Sequence, residues 1–207
     1  MDIHLRIAQR LRELRSARGY SLEVLAERSG VSRSNISLIE RGQSSPTAAV
    51  LDKLAIGLSV ALASFFDESE RGPDGAPPSP LCRHADQPTW KDPASGYVRR
   101  RLSPSMPSAL QLVEVVFPAG ARVALDSAVH DADIHQQVWL LQGEMELTIG
   151  ETPWRLTQGD CLAMRLDQPI VFHNPGKKPA RYVVALTNLD SRAGRFPSIT
   201  PPSRNPS

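Results

Sequence analysis

Residues 21–42 read SLEVLAERSGVSRSNISLIERG, and this stretch decides the fold of the first third of the chain. Two short amphipathic runs flank Gly30. Ser21 stands before the first run and Ser32 before the second, where a hydroxyl can accept from the open backbone N–H groups of a helix start. Leu25 and Ala26 in the first run, and Ile36 and Ile39 in the second, recur at helical spacing with Val31 between them. Ala26 is small enough for two helices to approach. Gly30, four positions later, tolerates the left-handed backbone of a tight turn. Two helices joined this way form a helix-turn-helix.

Outward from this unit the helical period continues. Ile7, Ala8, Leu11 and Leu14 make one stripe, with Arg6, Arg10, Arg12, Arg15 and Arg18 on other faces and Gly19 as a stop. Thr47 caps a fourth helix with Val50, Leu51, Leu54, Ala55 and Leu58 inward. A short fifth is expected over 61–66. The segment GVSRSNISLIERGQSSPTAAVLDKLA (30–55), with SLEVLAERSG before it, resembles the lambda-repressor-like (XRE) DNA-binding family over residues 5–66. The resemblance implies a five-helix, all-α head that binds double-stranded operator DNA. Relatives carry Gln at the position of Leu22, where it contacts the DNA backbone, and Leu22 cannot make that contact.

With Ile36 and Ile39 in the core, Ser32, Arg33, Ser34, Asn35, Ser37 and Leu38 lie near the start of the recognition helix. Arg33 can donate a bidentate pair to guanine, worth ~1–3 kcal/mol of discrimination. Ser34, Asn35 and Ser37 can hydrogen-bond bases or phosphates. By resemblance, Arg41 and the first turn of the preceding helix hold phosphates. An exposed arginine elsewhere, such as Arg12, reads as a solvated helix face. One head spans few base pairs, so specificity implies a homodimer on a two-fold operator.

Proline and charge mark the organisation. Of 18 prolines in 207 residues, residues 1–66 hold one and residues 67–107 hold eight. Residues 67–80 (DESERGPDGAPPSP) read as a linker, and the Pro-rich stretch 191–207 as a tail. The net charge of +2 divides into nine basic against six acidic residues over 1–66, six of each over 67–104, and nine against ten over 105–207. The head is basic and the remainder is not. The first residues show no secretory h-region, the longest apolar-rich stretch (54–66) is too short to span a bilayer, and Cys82 and Cys161 form no disulfide framework. A cytoplasmic protein with no membrane partner is expected.

From Gly96 the period falls from 3.6 to 2. Residues 97–102, 110–117, 137–141, 144–149, 161–164 and 181–186 read as strands between turn signals. The turns PAG (118–120), LLQGEMELTIGE (140–151), LTQGD (156–160) and NPGKKPARYVVAL (174–186) resemble the cupin family over residues 81–190, implying an all-β jelly-roll barrel that dimerises and senses a small molecule. Cupins that hold metal place two histidines and a glutamate on one strand and a third histidine on another. By that resemblance the ligand positions here are His130, Ala132, Gln136 and Ile170. One histidine cannot hold a metal, so no metal, no cofactor and no enzyme activity are expected. His135 and His173 fall on the outward register, and Cys161 reads as a small buried hydrophobe. The expected effector pocket is lined by His130, Gln136, Val138, Met164 and Ile170. The rivals are a DNA-tethered, metal-dependent cupin enzyme and an antitoxin-like repressor whose barrel binds a partner protein.

Overall fold

The computed structural model describes residues 3–66, 79–106, 108–126 and 134–188. Most of the expected linker (67–78) and the whole tail 191–207 lie outside the described residues.

The head is built from helices α1 (Ile3–Ala17), α2 (Leu22–Ser29), α3 (Arg33–Glu40) and α4 (Ala48–Leu58). Each of the last three begins on a hydroxyl. Ser21 Oγ accepts from Val24 N (3.2 Å), Ser32 Oγ from Asn35 N (3.3 Å) and Thr47 Oγ1 from Val50 N (3.3 Å). Gly30 closes α2 with φ +66°. Ile7, Leu11, Leu25, Ile36, Leu51, Leu54 and Leu58 are fully buried between the helices. Each such burial contributes about 1.5–3 kcal/mol.

Two local readings are corrected. The fifth helix is not α-helical, because Leu62–Phe66 winds as a 3-10 turn. Ser59, left-handed at φ 52°, closes α4 just before it, and too few residues remain to repay helix nucleation. The closest approach of helices lies at Gly57, where an added Cβ would sit 2.9 Å from Ser29 Cβ. Gly57 lets α4 press on α2, a role the sequence reading gave to Ala26 between α2 and α3.

The barrel holds β1 (Thr89–Lys91), β2 (Val98–Arg101), β3 (Leu110–Phe117), β4 (Arg122–Leu125), β5 (Ile134–Gln142), β6 (Glu144–Ile149), β7 (Thr152–Thr157), β8 (Cys161–Arg165), β9 (Ile170–His173) and β10 (Ala180–Asn188). They form a sheet of order β1-β2-β3-β10-β5-β8 and a second of order β4-β9-β6-β7. Neighbouring strands pair antiparallel. Strand β5 shows the period-2 logic plainly: Ile134, Gln136, Val138 and Leu140 are buried, while His135, Gln137 and Trp139 are exposed. Cys161 pairs with Trp139 on that outward face and is exposed, not buried as expected.

Head and barrel share one core. An aromatic chain starts at Phe66 on the head and enters the barrel: Phe66–Trp90 (5.4 Å between centroids), Trp90–Tyr97 (5.6 Å), Tyr97–Phe117 (5.6 Å) and Phe117–Tyr182 (6.4 Å). Burial pushes the Tyr97 and Tyr182 hydroxyls up, far from ionisation. Two buried carboxylates fasten α4 to the barrel. Asp92 Oδ1 accepts from Ala48 N (2.9 Å), and Asp52 Oδ2 accepts from Asp126 N (2.6 Å).

Candidate DNA interface and barrel cavity

The recognition helix α3 is held at its far end and open at its start. Glu40, its last residue, is 8% exposed and receives Arg15 in a bidentate pair, Nε to Oε1 at 2.6 Å and Nη2 to Oε2 at 2.9 Å. That hydrogen bonding raises the Arg15 pKa further. Arg15 Nη1 also donates to Tyr20 O (2.8 Å). Arg12 donates to the Glu40 carbonyl (2.9 Å), so it braces α3 and is not the solvated face expected of it. Neither anchor is legible from spacing, because both join residues far apart in the chain.

At the open end Ser32, Arg33, Ser34 and Leu38 are exposed, Asn35 and Ser37 are half-buried, and Arg41 is exposed just past the helix. The Ser32 hydroxyl is engaged in capping. Arg33 Nε meets Glu23 Oε1 at 2.5 Å, with both side chains more than half exposed. The pair engages Nε and leaves the two terminal amino groups as the guanidinium fork. Glu23 is held below the usual carboxylate range, first by a backbone hydrogen bond at the helix start, then by the Ser21 hydroxyl and the Arg33 charge. Leu22 is half-buried against the helical core.

A cavity of about 90 Å³ lies where head and barrel meet. Ala55, Leu62 and Ala63 reach it from the head, and Val113, Gln136 and Ile170 from the barrel. Val138 is fully buried in the core, and Met164 borders an open groove with Ile149 and Trp154. His130 lies outside the described residues. His173 sits with Nδ1 3.8 Å from Glu146 Oε1. Among the described residues no three His, Cys, Asp or Glu side chains converge as a metal site. A neutral amide at Gln136 and an alkyl chain at Ile170 do not fit the metal that cupins of other sequence hold.

Family models agree with this division. Residues 11–65 match the helix-turn-helix model and residues 113–186 the cupin domain model. The HTH-type transcriptional regulator SutR of Escherichia coli (strain K12) is 28% identical over 173 residues, covering 83% of this chain and 89% of its own. PuuR of the same organism, also an HTH-type transcriptional regulator, is 27% identical over 187 residues, covering 90% and 97%. Among solved structures, an HTH_3 family transcriptional regulator from Vibrio cholerae superposes with a TM-score of 0.66 at 25% identity, covering 89% of this chain and 96% of that one. Sequence, domain order and fold agree, and the chain belongs to the XRE-type helix-turn-helix transcriptional regulators that carry a C-terminal cupin domain.

Proposed function

We propose that this regulator binds a two-fold operator as a homodimer, with residues 1–66 as the DNA-binding head, 67–80 as linker and 81–190 as the dimerising, small-molecule-sensing barrel. Ser32, Arg33, Ser34, Asn35, Ser37 and Leu38 face the major groove, and Arg41 faces phosphate. The observation that carries this reading is the state of α3, whose last turn is locked by Arg12 and Arg15 while its first turn stands open with the Arg33 fork exposed. A rigid helix with a free N-terminal end is what direct readout requires. The protein works in the cytoplasm without catalysing a reaction. Gln136 and Ile170 at two ligand positions support that over a metal-dependent enzyme.

Selection of bound duplexes from a random-sequence DNA pool with the full chain tests this. The expected product is a pseudo-palindrome with half-sites about one helical turn, 10–10.5 base pairs, apart. Recovery of asymmetric or unrelated sequences overturns the two-headed reading.

A further inference from the structure

We infer that the cavity between head and barrel is itself the effector site, and that it takes a small uncharged organic molecule carrying one hydrogen-bonding group. The inference rests on the reading that the cupin domain senses a small molecule, and it names where and what. The walls come from both parts: Ala55 and Leu62 on one side, Val113 and Ile170 on the other. A ligand there touches the DNA-binding head directly.

Gln136 supplies the polar point. It lines the cavity, is 7% exposed, and the one hydrogen bond its side chain makes among the described residues is a long 4.0 Å contact from Nε2 to Met164 Sδ. A buried amide so poorly partnered is destabilising until something bonds to it. The apolar remainder of the wall limits the ligand to one such group.

Charge is excluded by what surrounds it. The charged side chains on the wall are Asp52 and Arg99, one of each sign. Asp52 already accepts from Asp126 N at 2.6 Å, and the Arg99 guanidinium lies 4.4 Å over the Phe66 ring. An ion would have to displace one of these contacts and bury itself without a spare partner. Size follows from volume. An apolar cavity of about 150 Å³ takes benzene, so a smaller one suits about four or five heavy atoms.

Regulation follows by linkage. The site exists only while α4 and the 3-10 turn rest on the barrel. A ligand that binds this arrangement and no other shifts the population toward it, and so fixes where the heads stand.

The test is a titration of the full chain, with labelled methyl and side-chain amide groups, against 1-butanol and against butyrate as the charged counterpart. Saturable shifts are expected for Leu62, Ile170 and the Gln136 amide with butanol, and none with butyrate at equal concentration. Gln136→Leu is expected to weaken butanol binding several-fold. Equal binding of butyrate overturns the ligand class. Shifts confined to Leu162 and Met164 on the open groove overturn the seam site while leaving sensing by the barrel intact. Absence of saturable shifts with either probe overturns the cavity as a site and counts against both readings.

Discussion

The Asp92 carboxylate, in the turn after β1, accepts a hydrogen bond from the backbone N–H of Ala48 at the first turn of α4. Both residues are buried, Asp92 at 2% and Ala48 at 1% exposure. A barrel side chain thus satisfies one of the donors that every helix start leaves open, and its negative charge suits that helix end. Its other oxygen accepts from Ser95 N and Oγ, which fixes the rotamer. The head is therefore seated on the barrel by a directional contact as well as by apolar packing.

Asp92→Ala removes that acceptor and strands a buried N–H. The expected loss is about 1–3 kcal/mol. Denaturant unfolding measures it, and faster amide exchange at Ala48 localises it. An unchanged midpoint with protected Ala48 would show that the seam is held by packing alone.

Gly57→Ala should destabilise despite the better helix propensity of alanine, worth about 1 kcal/mol in an open helix. The new Cβ would lie 2.9 Å from Ser29 Cβ and 3.1 Å from its Cα, so α2 and α4 must part. Overpacking of this kind costs about 1–3 kcal/mol. A raised melting temperature would show that the helices separate freely.

Arg15→Met leaves Glu40 charged and 8% exposed among apolar neighbours. Loss of one partner of a buried pair costs about 3–5 kcal/mol, whereas joint apolar replacement is near neutral. The double variant Arg15→Met/Glu40→Leu should therefore recover most of the stability. Additive losses across the four-protein cycle would contradict a coupled pair.

Glu23 supplies a pH test. Its carboxyl is held low, first by the backbone hydrogen bond at the start of α2 and then by Ser21 and Arg33. A folded value below the unfolded one, about 4.3, means that its stabilisation is present above that pH and fades as pH falls through the folded value. Direct titration of the Glu23 carboxyl carbon should give a midpoint below the ordinary glutamate range, with Arg33 released at still lower pH. A midpoint at or above that range would mean the contacts do not persist in solution.

What was legible in the sequence was local. Ser21, Ser32 and Thr47 announced three helix starts, and β3 and β6 were read at their observed bounds, because capping and alternation are written in neighbouring residues. Strands β1, β4, β7 and β9 escaped. Three are only three or four residues long, and β7 is a largely exposed edge strand carrying Pro153, without alternation to betray it. The long-range contacts were silent. Nothing near Asp92 points to Ala48, nothing near Arg15 points to Glu40, and Gln136 and Ile170 were placed on a pocket whose other wall, Ala55 and Leu62, belongs to the head. Those partners meet only when the chain folds back on itself, so no window of sequence contains both.

The most direct test of the account is the base preference of Arg33→Ala on the selected operator, measured beside the parent at fixed salt. The account predicts a loss of about 1–3 kcal/mol and relaxed preference at one guanine per half-site. Unchanged affinity and unchanged preference would contradict it, and would remove α3 as the element that reads the DNA.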